Sequence, residues 1–144
     1  MTNGLEVNNL KQITMKVILK KKESEDYFYN AMCSGFGYFG GYGLSLDYKD
    51  SDYAKAKTKY KKDNDSDPCR EDIYLGILKI GGSLIIIDEE CEGENNSTIT
   101  LKDVHDRVQL TPHNHLMDMI NEGDDAITAD CILQTVFFGD VIFG

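Results

Sequence analysis

Several residue types and patterns are missing from this chain, and each absence excludes a class of protein. The 144 residues include no tryptophan and only two prolines. No apolar run approaches the roughly twenty residues that a membrane-spanning helix needs, and the polar N-terminus lacks the apolar centre of a signal peptide. The four cysteines are scattered without a Cys-x-x-Cys pair. These features predict a cytoplasmic protein with reduced thiols.

Sequence signatures of the common enzyme classes are missing as well. The chain has no Gly-x-Ser-x-Gly, no P-loop and no pair of carboxylates spaced for acid–base catalysis. His113-Asn-His115 lacks the surroundings of a metal nuclease motif, and a zinc site would need a third ligand such as Cys131. An enzyme that uses a Cys–His pair stays open as a third hypothesis, although no thiol is marked as activated. We therefore expect a protein that is not an enzyme, with no metal and no cofactor.

Positive charge is scarce in the second half of the chain. Residues 1–69 carry 11 Lys or Arg against 10 Asp or Glu, whereas residues 70–144 carry 4 against 15. Nearly the whole formal net charge of −10 therefore lies in the C-terminal half. Such a surface repels nucleic-acid phosphates, so direct binding of nucleic acid is not expected. It could attract a basic protein surface, or it could simply keep the protein soluble.

The hydrophobic pattern predicts one α+β domain in which three or four helices cover an antiparallel sheet. The predicted central element is a C-terminal helix, with carboxylates in its N-terminal half and Gly139 as its stop signal. Helices are also expected from Ser24 to about Gly35, over residues 71–79, and around Pro112, where Thr100-x-x-Asp103 approximates a capping box. The predicted strands are residues 12–20, 44–50, 83–88, 97–101 and 140–143. Residues 1–10 are expected to form a loosely held tail, and residues 62–69 and 88–96 exposed loops.

The most unusual composition lies at Gly35-Phe-Gly-Tyr-Phe-Gly-Gly-Tyr-Gly43. Its Gly-x-Gly-x-x-Gly spacing matches a dinucleotide-binding fingerprint, but a predicted helix precedes it and no helical pattern follows it directly. Two interpretations remain. The rings could pack over closely approaching glycine backbone as part of the core. Alternatively, Phe36, Tyr38, Phe39 and Tyr42 could stack on the base or sugar of a ligand.

The one concentrated basic run is Tyr53-Ala-Lys-Ala-Lys-Thr-Lys-Tyr-Lys-Lys62. Lysines on an edge strand or hairpin discourage edge-to-edge pairing, which is the structural interpretation of this run. The functional interpretation is that Lys55, Lys57, Lys59 or Arg70 meets the phosphate of a small nucleotide.

Three sets of residues carry a resemblance to a known family. Ala31, Gly35, Tyr38 and Phe39 fit an Ala followed by a Glu-Gly-Gly-x-x-Tyr-Trp block, and Gly81-Gly82 precedes an apolar strand. The C-terminus fits Asp-Ala-x-Thr-x-Asp-x-x-Leu-Gln followed by Phe-Gly-x-x-x-Phe-Gly, through Asp125, Ala126, Thr128, Asp130, Leu133, Gln134, Phe138, Gly139, Phe143 and Gly144. With these residues the chain resembles a family of small proteins encoded mostly by bacteriophages and prophages. Cys33, Ser34 and Phe39 replace the Glu, the first Gly and the Trp of that family's first block.

This resemblance implies a phage-borne α+β accessory protein that acts in the infected bacterial host. Small acidic proteins of this kind often inhibit host systems, including bacterial immunity. The leading hypothesis is a binding protein that sequesters a small nucleotide-derived signal, and Tyr38→Ala would weaken that binding. The alternative is an acidic inhibitor, in which the 88–94 loop and Asp124/Asp125 mask a basic surface of a host enzyme as a nucleic-acid mimic would. Homo-oligomerisation stays open, and no membrane partner is expected.

Overall fold

The computed structural model describes residues 17–123 and 125–144 of the chain. In this part of the chain, six α-helices and three strands follow one another. They are α1 (Lys21–Gly41), β1 (Leu44–Asp47), α2 (Asp50–Asn64), α3 (Arg70–Lys79), β2 (Leu84–Asp88), β3 (Ser97–Ile99), α4 (Leu101–Arg107), α5 (His113–Ile120) and α6 (Ala126–Phe138). None of these helices is long and apolar enough to span a membrane.

The predicted central helix is confirmed as α6. Every residue from Thr128 to Phe137 is buried, so the helix is covered on all sides rather than along one stripe. The Asp125 carboxylate caps its first turn by accepting a hydrogen bond from the Thr128 N–H at 2.9 Å. Gly139 ends it with φ +80°, a left-handed conformation that favours glycine.

Helix α1 lies directly against α6. A Cβ atom added at Gly35 would stand 2.9 Å from the carbonyl carbon of Ala129 and from the backbone nitrogen of Asp130. Glycine therefore lets the two helix backbones approach more closely than any other residue would. Phe28 and Met32 of α1 are buried in the same core as Phe137 of α6.

The sheet is antiparallel, with the strand order β1-β2-β3. Leu44 pairs with Asp88 at one end of β1, and Leu84 pairs with Ile99 at the start of β2. The α+β fold class is confirmed. The strands predicted in residues 44–50, 83–88 and 97–101, the helix at 71–79 and the pair of helices around Pro112 are found with small shifts at their ends.

One predicted strand is not part of the sheet, and a second lies mostly outside the described residues. Residues 140–143 have no regular structure, because the backbone N–H groups of Ile142 and Phe143 donate to the side chain of Gln134 instead of to a neighbouring strand. The predicted strand at 12–20 falls mostly outside the described residues, as does the predicted tail at 1–10. Residues 17–20 carry no strand, and the Leu19 N–H donates to the Gln109 side chain at 3.0 Å.

Two segments predicted to be non-helical are helices. The glycine–aromatic stretch continues α1 as far as Gly41, because its buried face packs on α6 and on the sheet. The basic run lies in α2, where an edge strand or hairpin was predicted. Asp50 and Asp52 in the first turn of α2 and Lys61 and Lys62 in its last turn complement the helix dipole. The exposed loop predicted at 62–69 therefore begins only at Asp65.

Candidate functional site

Aromatic rings form a continuous row from α2 to α1. The Tyr53 and Tyr48 ring centroids lie 4.9 Å apart, and Tyr48 lies 5.8 Å from Tyr74. Tyr74 in turn lies 6.3 Å from Phe36, which is 5.7 Å from Phe39. These separations are in the range of favourable aromatic pairs. Phe39 is buried and the other four rings are half-buried, so the row has one accessible side.

A depression of about 210 Å³ opens beside this row. Helix α1 contributes the rings of Phe36 and Phe39, and α3 contributes the ring of Tyr74. Strands β1 and β2 contribute the aliphatic side chains of Leu44, Leu46 and Ile86. The volume is below the roughly 300–1,000 Å³ of pockets that enclose a drug-sized ligand. The depression therefore suits one flat ring system with the rest of the ligand outside.

Two charged side chains complete the lining of the depression. Arg70 and Glu71 are consecutive residues in the first turn of α3. Within residues 17–123 and 125–144, neither forms an ion pair with another side chain. The Arg70 guanidinium is thus free to contact a ligand, and it can bind a phosphate or carboxylate through two parallel hydrogen bonds.

The structure brings together only some of the predicted ligand-binding residues. Phe36, Phe39 and Arg70 line the same depression. Tyr38 is 40% exposed and stacks on Tyr42, and neither of these residues lines that depression. The three predicted lysines all lie on α2 and away from this depression. Lys55 and Lys59 line a separate shallow depression, and Lys59 also pairs with Asp63 at 2.8 Å. Lys57 is exposed.

Tyr42 belongs to a buried polar centre that the sequence analysis did not identify. Its hydroxyl donates to Asp130 Oδ2 at 2.7 Å, and Gln134 Nε2 donates to the same oxygen at 3.0 Å. Burial, the hydrogen bond to Asp130 and its charge raise the pKa of Tyr42 to about 12. Burial also raises the pKa of Asp130, whose Oδ1 atom is buried without a hydrogen-bond partner in the described residues. The sequence did contain one sign of this centre, because Asp130 and Gln134 are polar residues within a helix that is otherwise predicted to be apolar and buried.

Gln134 also holds the C-terminal segment, residues 140–144, against the protein. Its Oε1 atom accepts hydrogen bonds from the N–H groups of Ile142 and Phe143, both at 2.8 Å, and its Nε2 atom donates to the Phe143 carbonyl at 3.2 Å. The Phe143 ring stacks on Tyr42 with centroids 4.8 Å apart and planes 12° apart. The buried polar centre is therefore occupied by the protein's own chain.

The acidic turn, residues 88–96, is held by one buried carboxylate. Asp88 accepts hydrogen bonds from the N–H groups of Glu90 at 3.2 Å and Cys91 at 3.0 Å, and from the Asn95 side chain at 2.8 Å. Burial by itself would raise the pKa of Asp88, but these hydrogen bonds lower it below the usual value. Four carboxylates of the turn are exposed, those of Glu89, Glu90, Glu92 and Glu94. Asp125 is used as a helix cap, and Asp124 lies outside the described residues.

Histidines and thiols form no metal site in the described part of the chain, although the Cys33 and Cys69 thiols both lie near the Tyr29 hydroxyl. No three His, Cys, Asp or Glu side chains there are grouped closely enough to hold a metal ion. His115 contacts the Thr128 hydroxyl at 3.2 Å, and His105 pairs with Glu25 at 2.8 Å. Cys131, which the sequence offered as a third zinc ligand, is buried in α6.

Comparison with known proteins adds no relative. No family model, curated protein or solved structure matches the chain. The function must therefore be inferred from the chemistry of the depression and of the acidic turn.

Proposed function

We propose that this protein is a non-enzymatic binding protein that captures a small nucleotide-derived ligand in the aromatic depression. The observation that supports this proposal is the combination of half-buried rings with Arg70 on one concave surface. A nucleotide consists of a flat base and an anionic phosphate. The depression offers apolar ring surface for the base and, for the phosphate, the Arg70 guanidinium, which has no ion-pair partner among the described residues.

The position of Arg70 determines how a phosphate would bind. Arg70 is the first residue of α3, but Glu71 and Asp72 in the same turn already supply the negative charge that the helix dipole favours, so the guanidinium is the main attraction for a phosphate. Placing a phosphate there leaves it near the surface, because Arg70 is exposed while the rings are half-buried. The phosphate therefore keeps part of its hydration, which limits the desolvation cost of binding a charged group.

The biological role that we propose follows from the resemblance to phage-encoded proteins. A protein that sequesters a nucleotide signal lowers the concentration of that signal in the infected bacterial cell. Where host defence depends on the signal, capture alone blocks the response. This role needs no catalysis, and it places the protein in the host cytoplasm.

The first test is calorimetric titration with cyclic dinucleotides, cyclic trinucleotides and ADP-ribose derivatives. We expect binding to at least one of them. Arg70→Ala should weaken that binding by about tenfold, equivalent to about 1.4 kcal/mol, because the phosphate loses its charged partner. Lys57→Ala and Tyr38→Ala serve as matched controls, since both residues lie outside the depression. We expect little change from either, which replaces the sequence-based expectation that Tyr38→Ala weakens binding.

The two controls also show whether the phosphate binds at Arg70 or on α2. A loss of affinity in Lys57→Ala without a loss in Arg70→Ala would place the phosphate on α2 instead. The absence of binding heat with every one of these nucleotides would eliminate the proposal. Thermal unfolding of each variant checks that the fold is retained.

A second candidate function is supported by the acidic turn. Because Asp88 fixes the turn through three hydrogen bonds, Glu89, Glu90, Glu92 and Glu94 are presented on an ordered scaffold rather than on a loose loop. An ordered cluster of carboxylates complements a basic surface of a host enzyme, as a nucleic-acid mimic would. In this version the protein inhibits the enzyme by covering that surface.

Charge-driven binding of this kind predicts a strong dependence on salt. The affinity for a basic host protein should fall steeply as the ionic strength rises from about 0.01 M to 0.15 M, over which the Debye length shortens from about 30 Å to 8 Å. Replacing Glu90, Glu92 and Glu94 together with Gln should weaken binding at low salt. The matched control is Asp50→Asn, Asp118→Asn and Glu122→Gln together, which removes the same number of exposed carboxylates elsewhere. Binding that is insensitive to both salt and the triple replacement would exclude this candidate.

A further inference from the structure

Glu71 lies in a position that a simple phosphate-binding surface would not contain. Its half-buried side chain lines the depression beside Arg70, and within the described part of the chain it has no cationic partner. A carboxylate is an acceptor only, so it repels phosphate and attracts hydrogen-bond donors. A ligand that fills this depression must therefore satisfy Glu71 with donors of its own.

Among the nucleobases, guanine presents the best-matched donors to a carboxylate. Its Watson–Crick edge carries N1–H and the N2 amino group side by side, and these can donate in parallel to the two carboxylate oxygens. Adenine offers one amino group next to a ring nitrogen that is an acceptor, and this nitrogen would face a carboxylate oxygen. Uracil offers one N–H between two carbonyl oxygens. Among these bases, only guanine can donate to both carboxylate oxygens without placing one of its own acceptor atoms against them.

The rings of the depression are suitably placed for such a base. The Phe36 and Tyr74 centroids lie 6.3 Å apart and their planes are 81° apart. A base that lies flat on one of these rings is nearly perpendicular to the other, which is the edge-to-face orientation that aromatic pairs favour. Arg70 would hold the phosphate and Glu71 would contact the edge of the base. Because both residues belong to the first turn of α3, the helix backbone fixes their positions relative to each other.

We propose that Glu71 makes the depression selective for guanine nucleotides by accepting hydrogen bonds from guanine N1–H and N2–H. This inference rests on the proposed function, since it names the ligand class for the same depression. The competing role for Glu71 is purely structural, because a carboxylate in the first turn of a helix interacts favourably with the helix dipole. The structural role predicts no effect of Glu71 on the choice of base.

The experiment is calorimetric titration of the full-length protein with GMP, inosine monophosphate and AMP, and with cyclic di-GMP and cyclic di-AMP. We expect each guanine compound to bind at least about tenfold more tightly than its adenine counterpart. Inosine monophosphate, which lacks the N2 amino group, should lie between GMP and AMP. Glu71→Gln should remove most of the preference, mainly by weakening the guanine compounds. Glu71→Asp, which keeps the charge, should keep a preference for guanine at reduced affinity.

The control is Glu92→Gln, the same chemical change in the acidic turn, which should leave the preference unchanged. Equal binding of guanine and adenine compounds would overturn this inference while leaving the proposed function standing. A guanine preference that persists undiminished in Glu71→Gln would also overturn it. If none of the five nucleotides binds, both the inference and capture of a nucleotide of these classes are overturned. Thermal unfolding confirms that each variant is folded before its titration is interpreted.

Discussion

Replacing Gly35 with alanine is expected to lower the free energy of unfolding by about 1–3 kcal/mol, the usual cost of forcing extra volume into a packed interior. The added Cβ would stand 2.9 Å from two backbone atoms of α6, in Ala129 and Asp130, and 2.9 Å from the Leu133 side chain. Leu133 can turn aside, but backbone atoms can move only if α1 and α6 separate. Urea unfolding followed by circular dichroism measures the loss.

Gly37 provides a matched control on the same helix. It is exposed, and a Cβ added there meets nothing within 4 Å. Gly37→Ala should therefore raise the free energy of unfolding by about 0.5–1 kcal/mol, because alanine loses less backbone entropy in a helix. Equal effects of the two substitutions would show that α1 and α6 are not in close contact at Gly35. The same change two residues apart should thus act with opposite sign.

Gln134→Leu is expected to lower the free energy of unfolding by about 2–4 kcal/mol, at roughly 1 kcal/mol for each hydrogen bond lost. Leucine has a similar volume but can neither accept from the N–H groups of Ile142 and Phe143 nor donate to Asp130 and to the Phe143 carbonyl. The C-terminal segment should then detach, because its backbone groups find partners only in water. Urea unfolding gives the free energy, and faster digestion by carboxypeptidase reports the detachment.

A double-mutant cycle assigns this loss to the contact between Gln134 and the C-terminal segment. A chain that lacks residues 141–144 should be destabilised by a similar amount, since it loses three of the four hydrogen bonds of Gln134 and the stacking of Phe143 on Tyr42. Gln134→Leu in that shortened chain should then cost much less than in the full chain. Fully additive losses would contradict the role of Gln134 as the anchor of the segment.

The elements that could be predicted from the sequence are those whose local pattern and tertiary surroundings agree. The apolar face and the terminal Gly139 indicated α6, and the structure confirms both. Thr100 and Asp103 form the expected capping arrangement, in which the Asp103 carboxylate accepts from the Thr100 N–H at 2.9 Å. The strand at 84–88 was indicated by a short apolar run bounded by Gly81-Gly82 and an acidic turn.

Predictions failed where a weak local preference was overridden or a helical pattern was misread. Glycines at 37, 40 and 41 disfavour a helix, yet α1 persists because Phe36 and Phe39 pack against neighbouring elements. In α2, alternation of lysines suggested a strand. Tyr53, Ala56 and Tyr60 instead recur at helical spacing and form the side of α2 that is less exposed. Lysine and alanine are strong helix formers, so propensity and spacing together favoured the helix.

The candidate site could be predicted only in part, because it is assembled from segments that are distant in sequence. Phe36, Phe39 and Arg70 were singled out as ligand-binding residues, and they line one depression. Tyr74 and Glu71 were not, since each is an ordinary residue of an amphipathic helix until the fold places it beside Phe36. Gln134 was named only through the resemblance. Asp130 lies one turn before it on the same helix, but its three backbone partners in Ile142 and Phe143 come near only because the chain turns back after α6.

The basic face of α2 has a consequence for how fast an anionic molecule finds this protein. Five lysines and three aspartates make α2 locally positive on a chain whose formal net charge is −10. Lys59 and Lys61 are paired with Asp63 and Asp67, but the other lysines of α2 form no ion pair within the described residues. We therefore expect an approaching anion to be repelled less near α2 than near the acidic C-terminal half of the chain. Because α2 packs on α3, which begins with Arg70, we expect more frequent encounters on that side of the molecule. The lysines need not touch the captured molecule to raise its rate of encounter.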